Sequence, residues 1–199
     1  HSGIYYKPGS YKARNCVEGR RELVAFARQH GVKHDICGKL IVATHEEELP
    51  RLEKIFTTGQ ANGIEDMRKV SAAEIREIEP YCTGIAGVRV GCTGIIDFRG
   101  ATNKMAELAL AQQPDSRVAL QEEFLGIDSK GPIAQVRTSK STYRARFAIF
   151  CGGLQSDRLA RADGAVVHER IVGFRGDYYE LSAQIVDATM RMRGHTGGL

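Results

Sequence analysis

Three short runs typical of β-strands follow one another in the second half of this chain, between residues 117 and 151. They are RVALQEEFLGIDS, PIAQVRTSK and TYRARFAIFC, and only the turns KGP and KS separate them. Such short connections join antiparallel neighbours, because a parallel pair of strands needs a crossover of about a dozen residues or more. The sequence therefore predicts a three-stranded antiparallel meander.

Helical and strand patterns alternate in the first half of the chain. Ser10 is a candidate N-cap for a helix that runs to His30, and Gly31 suits the left-handed position at its end. CGKLIVAT is typical of a strand, and HEEELPRLEKIFTTGQANG is typical of a helix with Thr44 as its N-cap. MRKVS and GIAGVRVG predict two further strands.

Two more helices carry start signals. Ser71 and Glu74 match the S-x-x-E capping box at the start of the helix in SAAEIREIEP. Asp97 is a candidate cap for a helix that runs from about Gly100 to Gln113. Because helices and strands alternate early and strands cluster later, the predicted class is mixed α/β or α+β with two interleaved subdomains.

The charge and cysteine content narrow the classes of partner and site. The net charge is +4 with both signs interspersed, so we expect no nucleic-acid binding and a better match to a small anionic substrate or an acidic membrane surface. Five cysteines without C-x-x-C spacing predict reduced thiols in a cytoplasmic protein and no metal site. No apolar run approaches the roughly 20 residues of a membrane span, so any membrane contact is expected to be peripheral.

The stretch FAIFCGGLQSDRLA joins a strand-like run to a short helix through Gly152 and Gly153. Two glycines here let a flat or anionic group approach the backbone closely. The alternative is that they only make a tight strand-to-helix turn, and the residues leave both interpretations open. Asp157 is a candidate helix cap in the same stretch.

Two further stretches carry side chains suited to chemistry on an acid. ERIVGFRGDYYEL predicts another strand, in which Arg175 is a candidate carboxylate clamp between two glycines, against the alternative of a surface arginine. His1 in HSGIYY is a candidate general base, against the alternative of a structural or solvated histidine. The chain has no G-x-S-x-G, H-E-x-x-H, P-loop or G-x-G-x-x-G motif, so it carries no self-sufficient catalytic signature.

These stretches, in this order and at these separations, resemble the FAD-dependent L-2-hydroxyglutarate oxidases and dehydrogenases of the D-amino-acid oxidase and glycine oxidase superfamily. The resemblance covers about residues 1–181 and rests most on HSGIYYKPGS and FRGDYYEL. It implies a partial two-domain FAD-dependent oxidoreductase fold. Residues 1–36 and 98–163 would belong to the FAD-binding domain, and residues 37–97 and 164–199 to the substrate domain.

The resemblance also implies roles for particular residues. The flavin ring would lie near His1, which is the candidate base for oxidation of a small anionic 2-hydroxy acid. Arg175 would be the second catalytic residue and would bind a substrate carboxylate together with Tyr6 or Tyr178. The residues implied to contact or support the FAD cofactor are Ser2, Gly3, Gly152, Gly153, Leu154 and Asp157.

The departures from the family pattern define the alternatives. The family's opening strand, Gly-rich turn and helix are not in this sequence, nor is its later part, and Gly152 and Gly173 replace the usual Ala and Pro. We therefore expect a fragment, which would be catalytically incompetent if it cannot hold FAD. An oxidase acting on an amine such as glycine or sarcosine is the other alternative, and the electron acceptor, including a quinone, stays open.

Overall fold

The computed structural model describes residues 1–113 and 115–177 of the chain. Its Cα positions divide into two compact units, residues 1–118 and residues 119–199. The predicted interleaving of an FAD domain with a substrate domain stays a prediction.

The first unit combines helices with antiparallel strands. Its helices are α1 (Tyr11–His30), α2 (Leu49–Ala61), α3 (Ala72–Ile78) and α4 (Phe98–Gln112), and a 3-10 turn at Glu46–Glu48 precedes α2. Its strands are β1 (His34–Asp35), β2 (Lys39–Ala43), β3 (Met67–Ser71), β4 (Ala86–Val90) and β5 (Ile95–Ile96). Strands β2, β4 and β3 form an antiparallel sheet in that order, and β1 pairs with β5.

Apolar side chains from the sheet, from α1 and α2, and from the first residues of the chain form one core. Its buried members are Ile4, Val17, Ala43, Leu52, Ile64, Val88 and Val90. Each fully buried Val, Leu or Ile side chain contributes about 1.5–3 kcal/mol relative to an exposed one. The N-terminal segment is therefore part of the core of the first unit.

Three of the predicted helix starts are confirmed. The Ser10 hydroxyl accepts a hydrogen bond from the Ala13 amide at 3.2 Å, and Asp97 Oδ1 accepts one from the Gly100 amide at 2.9 Å. Ser71 forms both arms of the predicted capping box with the residue at position N3 of α3. Gly31 ends α1 with a φ of 66°, which is the left-handed geometry expected of it.

The predicted N-cap of α2 is wrong. A 3-10 turn intervenes, so α2 begins five residues after Thr44. The Thr44 hydroxyl donates to Glu48 Oε2 at 3.0 Å, and the Thr44 amide donates to the same oxygen at 2.7 Å. The glutamate accepts both bonds, and Thr44 caps no helix.

The second unit contains the predicted meander. Strands β6 (Phe124–Asp128), β7 (Ala134–Thr138) and β8 (Thr142–Ala145) pair in that order, antiparallel throughout. A 3-10 turn at Gly153–Gln155 and helix α5 (Ser156–Ala162) follow. The mixed helix and sheet class and the antiparallel meander are thus confirmed.

Two strand predictions in this unit are wrong within the described residues. The third run stops as a strand at Ala145, and residues 146–151 form none. Residues 169–177 of the predicted strand ERIVGFRGDYYEL also form none. Both segments have strand-like patterns, but a strand also needs a neighbour to receive its backbone hydrogen bonds.

None of the helices that the structure describes is long and apolar enough to cross a membrane.

Candidate functional site

Residues 2–4 of the N-terminal segment are buried, although Ser2 is polar. Ser2 and Ile4 are each only 1% exposed. Gly3 has a φ of 86°, and a Cβ at this position would lie 3.3 Å from the Cβ of Cys16 on α1. A side chain at Gly3 would therefore suffer both backbone strain and crowding, so the chain needs glycine here.

Asn62, at the end of α2, holds this segment in place. Its Nδ2 donates to the Gly3 carbonyl at 3.0 Å and to the Tyr6 carbonyl at 2.8 Å. The Tyr6 amide also donates to the Gly3 carbonyl, at 3.1 Å. Sequence analysis did not identify Asn62 as a site residue, because its only signal was the helix stop ANG.

Cations surround the predicted N-terminal site residues. Lys12 Nζ lies 5.2 Å from the centre of the half-buried Tyr6 ring, and Lys39 Nζ lies 4.8 Å from the centre of the Tyr5 ring. His1 is exposed. Positive charge near Tyr6 favours an anionic ligand.

His1 also lines a pocket of about 430 Å³ in the first unit. The walls are mainly aliphatic and aromatic and include Leu23, Val24, Ile36, Ile96 and Phe98. Arg20 and Lys39 also line it, and none of its lining residues is acidic. Such a pocket suits a flat apolar ring that carries hydrogen-bond acceptors or negative charge.

Arg20 has one unused donor at this pocket. Its side chain is 12% exposed, Nη2 forms an ion pair with Glu65, and Nη1 donates to the Cys92 carbonyl at 3.4 Å. Its Nε is buried and has no hydrogen-bond partner within the described structure. The hydrogen bond from Arg20 is the main reason that the pKa of Glu65 is lowered.

Cys92 lines the same pocket but is a poor candidate nucleophile. Burial is the main cause of the raised pKa of its thiol, and it outweighs the opposing effect of the Arg20 charge. A thiol with a raised pKa stays protonated at neutral pH, and the thiolate is the reactive form. All five cysteines of the chain are free.

The two adjacent glycines, Gly152 and Gly153, have different surroundings. A Cβ at Gly152 would lie 2.3 Å from Leu159 Cδ1, the end of a flexible side chain on α5. Gly153 has a φ of 52°, and a Cβ there would meet nothing within 4 Å. Open space therefore adjoins the backbone at Gly153, and the neighbouring Leu154 is exposed.

Asp157 connects helix α5 to the chain that follows it. Its Oδ1 accepts from the Arg158 amide at 2.9 Å, and its Oδ2 accepts from Arg161 Nη1 at 3.1 Å and the Ile171 amide at 3.4 Å. Burial favours the protonated form, but the bonds from Arg161 and Ile171 outweigh it and lower the pKa of Asp157. Both oxygens of this carboxylate thus serve protein groups.

Arg175 projects into solvent. Its side chain is 87% exposed, and its Nε donates to Asp177 Oδ1 at 2.7 Å. Tyr178, the other predicted substrate residue of this stretch, lies outside the described residues. The other predicted residues fall into two groups, residues 1–6 in the first unit and residues 152–157 in the second.

No group of three or more His, Cys, Asp or Glu side chains that could hold a metal ion occurs in residues 1–113 or 115–177.

The sequence profile of the family described as FAD dependent oxidoreductase, DAO, matches residues 1–196. The chain belongs to this family. Solved structures share its fold: glycine oxidase from Geobacillus kaustophilus superposes with a TM-score of 0.67 at 18% identity, covering 79% of this chain and 44% of that one. Glycine oxidase from Bacillus cereus gives a TM-score of 0.65 at 24% identity, covering 80% of this chain and 45% of that one.

Curated relatives are more similar in sequence. L-2-hydroxyglutarate dehydrogenase of Indibacter alkaliphilus is 35% identical over 185 residues, which are 92% of this chain and 46% of that protein. The mitochondrial L-2-hydroxyglutarate dehydrogenase of Homo sapiens is 36% identical over 196 residues, 92% of this chain and 42% of that protein. The chain thus spans less than half the length of the curated relatives it matches.

The cofactor prediction, FAD, is confirmed at the level of the DAO family. Two features of the structure fit parts of this cofactor. The backbone at Gly153 is open to close approach, and the pocket beside His1 is apolar with an unused arginine donor. The buried Ser2 and Gly3 belong to the same N-terminal segment as His1.

Proposed function

We propose that the protein to which these residues belong oxidises L-2-hydroxyglutarate to 2-oxoglutarate with FAD as cofactor. One observation carries this proposal: proteins named L-2-hydroxyglutarate dehydrogenase, from bacteria to mammals, are 35–37% identical to 92% of this chain. The cationic and apolar surroundings of His1 support a small anionic substrate beside a flat ring.

The reaction removes two electrons and two protons from the substrate. C2 loses a hydride and its hydroxyl loses a proton, which leaves a 2-oxo acid. FAD, when bound, supplies the acceptor for the hydride. The chain's own task is to orient the hydroxy acid and to accept the proton.

The predicted residues divide this task. His1 takes the hydroxyl proton, and its exposed position leaves it free to reach a substrate. Arg175 binds one carboxylate, for which it must exchange its present partner Asp177. Tyr6 and Tyr178 donate hydrogen bonds to the same substrate. Ser2, Gly3, Gly153 and Leu154 lie along the cofactor, while Gly152 and Asp157 support the turn that carries Gly153 and Leu154.

We further propose a cytoplasmic protein that contacts the inner membrane at most peripherally. Its mild cationic excess supports this, since an acidic membrane surface attracts positive charge. Oxygen, a quinone or another protein is the electron acceptor under this proposal.

A flavin titration and a substrate comparison test the proposed function. In the full-length protein, we expect FAD to bind stoichiometrically and an artificial acceptor to be reduced with L-2-hydroxyglutarate but not with glycine or sarcosine. Turnover of glycine or sarcosine instead would favour the amine oxidase alternative. The 199-residue chain is titrated in parallel, and failure to bind FAD there would identify it as an incompetent fragment.

The role of His1 is tested separately. The His1→Asn variant should lose about 10²-fold or more in kcat and should lose the pH dependence of kcat that a titrating base confers. His168→Asn, which alters an exposed histidine of the second unit, is the control. An unchanged kcat in His1→Asn would remove His1 from the mechanism.

A further inference from the structure

Asn62 is placed to act on the N-terminal segment over a long sequence separation. The residues it bonds, Gly3 and Tyr6, lie 59 and 56 positions before it. Their carbonyls bracket the turn of HSGIYY, and both distances are those of normal N–H···O hydrogen bonds. A single amide nitrogen therefore fixes two points of the segment at once.

A carboxamide is the group that can do this. An Asn nitrogen carries two N–H donors, whereas an Asp of the same shape carries only acceptors when ionised. Two carbonyls require donors, so they also determine which way the amide points. Asn62 Oδ1 is buried and has no hydrogen-bond partner within the described part of the chain, so the interaction with the two carbonyls decides the placement of the side chain.

Backbone hydrogen bonds hold the end of α2, which carries Asn62. The Asn62 amide donates to the Thr58 carbonyl at 3.0 Å, and the Ile64 amide donates to the Gly59 carbonyl at 3.1 Å. Ile64 is buried in the same core as Ile4. A Cβ at Gly59 would lie 2.9 Å from Ile4 Cγ1, so the helix approaches the segment as closely as its backbone allows.

We propose that Asn62 is a positioning residue for the flavin and substrate site. It holds the backbone of Ser2 and Gly3 in one conformation, and thereby sets where His1 stands relative to the bound ring. This inference rests on the proposed function, in which residues 1–3 lie along FAD. It also assigns to α2, a part of the predicted substrate domain, control over a segment of the predicted FAD domain.

The experiment compares Asn62→Asp with Asn103→Asp in the FAD-loaded, full-length protein. Asn103 is exposed on α4, so its variant introduces the same charge away from Gly3 and Tyr6. For Asn62→Asp we expect an altered visible circular dichroism spectrum of the bound flavin. We also expect a fall in kcat of about tenfold or more, with KM changed by less than about threefold. Asn103→Asp should match the wild type in all three measurements.

A second variant covers the case in which Asn62→Asp does not fold. Serine suits the ordinary φ of −86° at this position and removes both carboxamide donors, so Asn62→Ser should fold and show the same altered spectrum and kcat. A folded variant that loses only thermal stability, with wild-type spectrum and kcat, would overturn the positioning role. Absence of FAD binding or turnover in the wild type would instead refute the proposed function, and this inference with it.

Discussion

At the scale of single residues, two adjacent glycines can have quite different surroundings. The end of the Leu159 side chain lies close to where a Cβ at Gly152 would stand, whereas Gly153 adopts a left-handed backbone beside open space. The sequence shows two identical letters and leaves a tight turn and a ligand contact equally open. The surroundings of the two Cα atoms differ, and a ligand contact at Gly153 stays a prediction.

Alanine substitutions test this separation in the FAD-binding form of the protein. Gly153→Ala should cost about 1–2 kcal/mol of stability through backbone strain and should also weaken FAD binding, measured by quenching of flavin fluorescence. Gly152→Ala should cost less stability than Gly153→Ala, because the end of the Leu159 side chain can shift to make room, and it should have less effect on FAD affinity. Gly131→Ala, where a Cβ meets nothing within 4 Å, is the control. Unaltered FAD affinity in Gly153→Ala would argue against a cofactor at this turn.

At the scale of elements, a helix cap whose bonding partner is close in sequence is predictable, and a long-range contact is not. Ser71 and Glu74 stand three residues apart, so their reciprocal bonding can be recognised from the sequence. The pattern at Thr44, with acidic residues after it, predicts an N-cap. In the structure the Thr44 hydroxyl and amide instead both donate hydrogen bonds to Glu48. Asn62 has no such local signal, because its partners lie more than 50 residues away.

The capping box predicts a pH-dependent stability. The Ser71 amide, followed by Arg68 and the Ser71 hydroxyl, lowers the pKa of Glu74 from 4.5 to about 2. A carboxylate whose pKa is depressed by folding stabilises the protein above its ordinary pKa and loses that effect as the pH falls toward the folded value. Glu74→Ala should therefore lower the melting temperature at pH 7, and the difference should shrink between pH 4.5 and about 2.

Two companion variants make the capping result specific. Ser71→Ala removes the other arm of the box and should cost about 1 kcal/mol at pH 7. Glu77→Ala removes an exposed carboxylate from the same helix and should cost less than Glu74→Ala. A melting-temperature difference for Glu74→Ala that does not diminish in acid would contradict the assignment.

At the scale of the whole molecule, the second unit presents apolar side chains to solvent. Phe147 is 85% exposed and Ile149 is 87% exposed, and both belong to the run that was predicted to be a strand. These two residues stand two positions apart and form a short exposed apolar segment, here called the apolar strip. Such strips on isolated chains bind apolar dyes and promote association.

We expect the 199-residue chain to enhance the fluorescence of an anilinonaphthalene sulfonate dye. Replacing both residues, Phe147→Ser with Ile149→Thr, should remove at least about half of the enhancement. Tyr11→Ser, at a 75% exposed aromatic on α1, is the control and should leave most of it. Equal dye fluorescence in the double variant and the wild type would show that the strip is not accessible in solution.

The sequence by itself determined the mixed class, the meander, most helix caps and the family, because these depend on neighbouring residues, short turns and the order of motifs. Tertiary structure decided what depends on distant partners. It ended the third strand at Ala145 and placed Asn62 against Gly3. The physical reason is that a hydrogen bond or a close contact needs its second atom, and the local pattern does not say which distant residue supplies it.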